Sequence, residues 1–276
     1  SNPIMKMKSC VTLSLVPALR GGPWILWDEL SIGLEKAHAL GFDAVELFTE
    51  DASAGKPGEL ARLLEKNDLS LGAVGTGAGK VIQGLTITSS DQAVREQAKS
   101  FIVEMIYFGA EFAAPAIIGS MQGNCGKEST VAEARKYLGD ALSFLGEKAS
   151  QAGTFLLYEP LNRYETNLFN HFEEAADFLD EMKIEGVRLL ADLFHMNIEE
   201  VDIASSLLAG ARRLGHVHYA DSNRRAVGFG HTPIEPIAQA LKKTDFEGYI
   251  SAEVFDWPDP ESAAKQTISS FRKHFS

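Results

Sequence analysis

The chain has 276 residues, of which 45% are hydrophobic and 23% charged, and 38 acidic against 26 basic side chains give it a formal charge of −12. This composition is typical of a globular domain, and an acidic surplus with scattered lysines and arginines excludes nucleic acid as the expected partner. No apolar run approaches the ~20 residues that cross a bilayer, and two cysteines are too few for a disulfide framework. We therefore expect a cytoplasmic protein without a membrane partner.

Short apolar or β-branched runs alternate with longer runs of helical period along the whole chain. The predicted strands, in chain order, are 9–16, 44–48, 69–74, 116–119, 154–159, 187–193, 216–220 and 249–255. The predicted helices are 27–40, 57–65, 91–112, 131–151, 171–182, 199–209, 234–243 and 261–274. Glycine recurs where a helix gives way to a strand, as at Gly41 and Gly153, which is the usual position after a last helical turn.

Eight strand-and-helix units in this length predict a closed (β/α)₈ TIM barrel. Because no segment has the composition of a linker, we expect a single domain over residues 8–276. Residues 1–7 are expected to form an N-terminal extension that is partly vector-derived. The alternative, an open doubly wound sheet, predicts a GxGxxG phosphate loop, and the one glycine-rich candidate, 72–79, lacks that spacing.

Ionisable side chains stand where several of the predicted strands end, and in a TIM barrel those ends face the active site. The positions read from the strands are Glu46, Glu159, Asp192, His195, His218, Asp221 and Glu253. Charges on apolar strands are costly to bury unless they are paired or bind a cation. Three carboxylates and one imidazole on the last four strands therefore favour a divalent cation site, although separate neutralisation by arginine or lysine stays open, for Glu46 above all.

Four segments of the chain carry a family resemblance. They are YEPLNRYET at 158–166, ADLFHMN at 191–197, HVHYADSNR at 216–224 and SAEVF at 251–255. In their order and spacing they resemble the signature segments of the xylose-isomerase-like TIM barrels, and they are most similar to the D-tagatose and D-psicose (ketose) 3-epimerases. The chain is therefore expected to be an isomerase that converts a small sugar.

The resemblance also implies a set of site residues. It implies that one divalent cation is bound by Glu159, Asp192, His218 and Glu253. It implies that the substrate's oxygens are held by Glu165, His195 and Arg224. The donor set suits Mn²⁺ first, with Mg²⁺ or Co²⁺ next and Zn²⁺ less suited. Members of this group are often dimers or tetramers, which implies a homodimer or homotetramer here.

The chemistry of such a site requires two bases. A proton next to a ketone leaves at neutral pH only if the developing enediolate is stabilised, which a divalent cation does as a Lewis acid. Glu159 and Glu253 are the expected pair, one removing the proton and the other returning one to the opposite face of the sugar. Phe255 shares a face with Glu253 and is expected to pack against the sugar.

Several of these residues have a structural alternative. His195 could be a core histidine that caps its strand, and Arg224 could pair only with Asp221. Glu165 could lie at the surface without a role in the site. His216 points to the same face as the metal ligand two residues later, and it could support that ligand or belong to the core.

The segment after the fourth strand departs from the family pattern and bears on the identity of the sugar. Ketohexose epimerases usually place a bulky aromatic side chain after the fourth strand, whereas this chain has Ser120 and Gln122, which suggests a more polar or differently shaped sugar. An aldose–ketose or hydroxypyruvate-type isomerase would use the same site. An apurinic endonuclease would need extra histidines on strands three and four, and a non-catalytic sugar-binding barrel would not need two opposed glutamates.

Overall fold

A computed structural model describes residues 7–53, 56 and 58–276 of the chain. Eight parallel strands follow one another around a closed barrel, and the last strand pairs with the first. The strands are β1 Lys8–Ser14, β2 Ala44–Phe48, β3 Ser70–Gly75, β4 Ala116–Ile118, β5 Leu156–Tyr158, β6 Val187–Asp192, β7 Leu214–His218 and β8 Tyr249–Ala252. The predicted (β/α)₈ barrel is confirmed, and every predicted strand is present. The bounds of β2 equal the predicted ones, and the other strands have one or both ends shifted by a few residues.

Helices cover the outside of the barrel. They are α1 Leu30–Leu40, α2 Glu59–Lys66, α3 Ala78–Gln83, α4 Gln92–Ala110, α5 Val131–Gln151, α6 Phe172–Glu181, α7 Leu193–Glu199, α8 Ile203–Ala209, α9 Ile234–Lys242 and α10 Pro260–Phe275. The sequence pattern missed α3 and α7, whose six and seven residues are too few for a helical period to show. The helix predicted over 199–209 is observed as α8, which begins four residues later, because Glu199 ends α7 and Asp202 caps the start of α8.

Local sequence explains where several helices begin and end. Thr130 accepts a hydrogen bond from the Glu133 backbone N–H and so starts α5, whose observed bounds equal the predicted ones. Gly41 ends α1 with φ of 90°, a left-handed conformation that glycine adopts without strain. The predicted N-terminal extension lies outside the described residues except for Met7, which is buried in the core.

Buried apolar side chains pack in two separate regions. The main core lies between the outer face of the sheet and the helices, whereas a small apolar cluster on β3 to β6 fills one side of the barrel itself: Ala73, Ile117, Leu157 and Leu190. The other side of the barrel, near β2 and β7, buries Glu46, His216 and His218. Buried polar groups must be paired, so this half of the barrel is where chemistry is expected. No helix of the described part of the chain is long and apolar enough to cross a membrane.

Candidate metal centre and active site

Four buried side chains meet at the carboxyl end of the barrel. They are Glu159, Asp192, His218 and Glu253, and one ligand atom from each lies within 4.8 Å of the others. His218 Nδ1 is 3.1 Å from Asp192 Oδ2, 3.5 Å from Glu159 Oε2 and 3.7 Å from Glu253 Oε2. The four residues of the predicted metal site therefore converge on a single point.

The strand that carries Asp192 passes directly into helix α7, and this fixes the aspartate. Asp192 Oδ1 accepts hydrogen bonds from the backbone N–H groups of Phe194 at 2.8 Å and His195 at 3.2 Å. The carboxylate therefore caps the helix with one oxygen and turns Oδ2 toward His218. Because Asp192 and His218 are register partners on β6 and β7, their side chains meet without any loop between them.

The ring nitrogen of His218 that faces away from the cluster contacts Glu46, a carboxylate whose role stays open from the sequence. Glu46 Oε2 lies 2.9 Å from His218 Nε2, and Glu46 Oε1 lies 2.7 Å from His216 Nε2. The inward position of Glu46 on β2 could be read from strand alternation, but its two partners across the barrel could not. His216 is thus packed beside the site and supports it through Glu46.

The electrostatics of the cluster call for positive charge. Burial raises the pKa of Glu159 to about 7 and that of Glu253 to about 8. Burial also opposes the ionisation of Asp192, yet the hydrogen bond and charge of His218 and the nearby Arg224 guanidinium hold its pKa well below the usual range. A cation bound at this point would stabilise the ionised forms of both glutamates beside the ionised aspartate.

The donor atoms fit a divalent cation. Glu159 Oε2 is buried and has no hydrogen-bond partner among the described residues, although it faces the other three ligand atoms. Three carboxylates and one imidazole, with no thiolate, are the ligands of Mn²⁺, Mg²⁺ or Co²⁺ sites more than of structural zinc.

His195 faces the cluster with a defined tautomer. The backbone N–H of Asn162 donates to His195 Nδ1 at 3.2 Å, so the ring proton belongs on Nε2. His195 Nε2 is buried without a hydrogen-bond partner in the described structure and lies 3.8 Å from Glu159 Oε2. It is therefore a donor that points toward the cluster of Glu159, Asp192, His218 and Glu253.

Arg224 reaches the same cavity from the loop after β7. Its guanidinium stacks 4.6 Å from the centre of the Phe194 ring and lies 3.5 Å from Glu253 Oε1 and 4.0 Å from Glu165 Oε2. The alternative pairing of Arg224 with Asp221 is not formed. Glu165 is partly exposed, but it lies at the edge of the site and accepts a hydrogen bond from the Asn162 side chain at 3.0 Å.

These side chains border one cavity of about 210 Å³. Its lining includes Trp24, Phe48, Gly119, Ser120, Glu159, Glu165, His195, Arg224 and Glu253. Trp24 and Phe48 pack with ring centres 4.9 Å apart and form its apolar wall. A larger cavity of about 870 Å³ opens at the opposite, amino-terminal end of the barrel and contains none of the predicted site residues.

Two of the side chains predicted near the substrate lie elsewhere. Gln122 is fully buried behind the cavity, where it accepts a hydrogen bond from the Tyr158 hydroxyl at 2.6 Å and donates to the Glu159 carbonyl at 2.8 Å. It therefore supports the backbone of Glu159 and does not shape the pocket. Phe255 is half-buried and does not border the cavity, but its backbone N–H donates to the Arg224 carbonyl at 2.9 Å.

Gly119, which no pattern in the sequence singles out, lies against Glu159. A Cβ atom on Gly119 would be 2.7 Å from Glu159 Oε1, closer than such contacts occur. Gly119 follows β4 directly, so the absence of a side chain there leaves room for the Glu159 carboxylate.

Comparison with known proteins agrees with this geometry. The family model described as "Xylose isomerase-like TIM barrel" matches residues 34–274. The chain belongs to this family. The match spans all of the strands from β2 to β8 and each of the four clustered side chains.

Named relatives within the family are sugar epimerases. An L-ribulose 3-epimerase of Methylomonas sp. is 30% identical over 266 residues, which is 91% of this chain and 90% of the relative. The 3-dehydro-D-guloside 4-epimerase of Escherichia coli K12 is 32% identical over 139 residues, so the match spans about half of this chain and 53% of that relative. A D-psicose 3-epimerase structure from Clostridium cellulolyticum H10, with D-tagatose, has a TM-score of 0.83 at 22% identity and covers 98% of this chain and 100% of that one. Epimerases are isomerases, so the expected enzyme class is confirmed through the relatives.

Proposed function

We propose that the protein is a metal-dependent sugar epimerase that inverts a carbon next to a ketone carbonyl. The observation that carries this proposal is the convergence of Glu159, Asp192, His218 and Glu253 on one point beside a cavity. The ketose 3-epimerases among the relatives support the reaction class.

Glu159 and Glu253 are the proposed acid–base pair. They follow β5 and β8, which are not neighbours in the barrel, so the two carboxylates approach the cavity from different sides. One carboxylate would remove the proton from the reacting carbon, and the other carboxyl group would return one to the opposite face. A divalent cation, which we propose to be Mn²⁺ ahead of Mg²⁺ or Co²⁺, would supply Lewis-acid stabilisation of the charge that develops on the substrate's oxygens.

The remaining side chains of the cavity would hold the sugar in place. The unpartnered His195 Nε2–H and the Arg224 guanidinium are positioned to donate to substrate oxygens, and Glu165 can accept from a hydroxyl. The apolar wall of Trp24 and Phe48 would cover the carbon face of the sugar and keep water from the reacting carbon.

We propose a sugar without a phosphate group. The only cation among the described residues that line the cavity is Arg224, and the carboxylate of Glu253 already lies 3.5 Å from it. A phosphate normally needs charge-assisted donors that are not already shared with a carboxylate. A free ketose fits this charge balance better than a ketose phosphate does.

A second candidate substrate is a keto-glycoside. After β4 the cavity is bordered by Gly119 and Ser120, so the space that a bulky side chain would fill is open. The E. coli relative is named for a guloside, a sugar that carries a further group. An epimerase acting on such a substrate would use the same four clustered residues.

Nuclear magnetic resonance in D₂O tests this function. The protein is incubated in D₂O with Mn²⁺ and a panel of free ketoses, ketose phosphates and keto-glycosides. The Mn²⁺ is then removed, and the carbon of the sugar that gained deuterium is identified. We expect deuterium at the inverted carbon of an unphosphorylated sugar, with exchange lost on chelation and restored by Mn²⁺ or Co²⁺. Deuterium at C1 or C2 of an aldose–ketose pair would instead establish a 1,2-isomerase, and full activity in metal-free protein would remove the metal from the proposal.

The cytoplasmic location and the homodimer or homotetramer stay predictions.

A further inference from the structure

Three buried side chains connect β2 to β7 behind the metal cluster. Glu46, His216 and His218 are each fully buried, and the two oxygens of Glu46 lie 2.7 Å and 2.9 Å from different imidazoles. Of the three, only His218 belongs to the cation site proposed above. A buried carboxylate and a second buried histidine in the barrel therefore need their own explanation.

The position of the ring proton on His218 decides whether it can bind a cation. A neutral imidazole binds metal through the nitrogen that carries no proton, and His218 turns Nδ1 to the cluster. The proton must then lie on Nε2, where it needs an acceptor in a dry interior. Glu46 Oε2, at 2.9 Å, is that acceptor.

His216 fixes the other end of the carboxylate. Its Nε2 lies 2.7 Å from Glu46 Oε1, whereas its Nδ1 is buried without a hydrogen-bond partner in the described structure. The proton of a neutral His216 thus belongs on Nε2, where it satisfies the second oxygen of Glu46. With an imidazole on each oxygen, the carboxylate cannot rotate without losing both hydrogen bonds.

The same three residues could in principle hold a second ion, because their ligand atoms also lie within 4.8 Å of one another. Two ligands of one ion, each ~2.1 Å from it, are about 3 Å or more apart. The separations of 2.7 Å and 2.9 Å are those of hydrogen bonds. The geometry thus favours protons between these groups.

We propose that Glu46, anchored by His216, is a positioning residue that keeps the ring proton of His218 on Nε2 and so presents the Nδ1 lone pair to the cation. This role depends on the proposed cation site. Carboxylates that accept the second N–H of a ligating histidine strengthen metal binding by about 10- to 100-fold.

The Glu46→Gln variant of the full chain tests the role. A glutamine side chain has one acceptor oxygen and an N–H₂ group, so it can accept from only one of the two imidazoles. We expect Mn²⁺ affinity, measured by titration with electron paramagnetic resonance, to fall about 10- to 100-fold. Thr12→Val is the matched control, because Thr12 is the register partner of Glu46 on β1 and is buried, yet hydrogen-bonds only to backbone at Ala252 and Ile25. The control variant should change Mn²⁺ affinity less than twofold even if it is less stable.

A measurement on the wild-type protein covers the case in which Glu46→Gln does not fold. In Mg²⁺-loaded protein with ¹⁵N-labelled histidine, the nitrogen resonances report which ring atom carries the proton. Single-histidine substitutions assign the seven histidines of the chain. We expect solvent-protected protons on Nε2 of both His216 and His218.

The possible outcomes separate the two proposals. A proton on Nδ1 of His218, or an unchanged Mn²⁺ affinity in Glu46→Gln, overturns the positioning role and leaves the proposed function standing. Two Mn²⁺ ions per wild-type chain, with one lost in the variant, overturns it in favour of a second metal site. Wild-type protein that binds no divalent cation overturns both the positioning role and the metal site.

Discussion

At the scale of single residues, Asp192 and His218 in the cluster each use one polar atom to bond the surrounding protein and turn another toward the centre of the cluster. Asp192 gives one oxygen to the start of α7 and the other to the cluster, and His218 turns one nitrogen to Glu46 and the other to the cluster. Glu159 has one oxygen against Gly119 and leaves the other without a partner. Such support holds the ligand atoms near their working positions before anything binds, which lowers the ordering cost of binding.

The same residues predict how cation binding depends on pH. Burial raises the pKa of Glu159 to about 7 and that of Glu253 to about 8, and the charges of Glu253 and Glu46 hold the pKa of His218 well above its usual range despite burial. Below these pKa values the groups carry protons that a cation must displace. The affinity for Mn²⁺ should therefore rise from pH 6 to pH 8, by about tenfold per pH unit for each proton released.

Calorimetry of Mn²⁺ binding in two buffers of different ionisation enthalpy measures this release. We expect at least one proton per ion at pH 6.5 and fewer at pH 8.5. A binding enthalpy that does not depend on the buffer, together with an affinity that does not change with pH, would show that the clustered groups are already deprotonated.

At the scale of elements, the loop after β7 is organised by one buried carboxylate. Asp221 Oδ1 accepts from the backbone N–H groups of Ser222 and Thr232, and Oδ2 accepts from those of Gly228 and Gly230, at 2.7–3.0 Å. The loop that wraps around Asp221 carries Arg224 in a left-handed conformation, with φ of 62°. Asp221 thus acts on the site by shaping the loop. From the sequence, Asp221 is expected at a strand end and as a possible ion-pair partner of Arg224.

Asp221→Asn should weaken both the loop and sugar binding. An asparagine retains one acceptor oxygen and places an N–H₂ group against two backbone N–H donors, which should lower the free energy of unfolding by about 1–3 kcal/mol. KM should rise as Arg224 moves, with a smaller change in kcat. Asp202→Asn is the control, because Asp202 caps α8 through one backbone N–H and asparagine serves as well there. An unchanged KM in Asp221→Asn would contradict this positioning of Arg224.

The elements also show what local sequence can and cannot specify. The long helix α5 was predicted to the residue, because its cap and its apolar face lie within the segment itself. The short helix α7 was missed, because the predicted strand 187–193 ran into its first residue and seven residues are too few for a helical period to show. The four clustered residues could be predicted from the strand ends and the family resemblance. The partners of Glu46 lie 170 and 172 residues away, and no local pattern points to them.

At the scale of the whole molecule, the barrel separates packing from chemistry. Apolar side chains fill one side of its interior, and the cluster of Glu159, Asp192, His218 and Glu253 with its buried support occupies the carboxyl end and the other side. Most of the 38 acidic residues contribute to a negative charge of −12, but three of them are inside the site. One bound divalent cation would offset about two units of that charge where it is costliest.

The most direct test of the account is solvent deuterium exchange into the sugar in Glu159→Gln and Glu253→Gln. With Mn²⁺ present, the wild-type protein should incorporate deuterium at the carbon next to the carbonyl, and each variant should lose this exchange by at least about 10²-fold while circular dichroism shows an intact fold. Glu261→Gln, which removes an exposed carboxylate paired with Lys265, should exchange as the wild type does. Normal exchange in both Glu159→Gln and Glu253→Gln would contradict the two-glutamate mechanism.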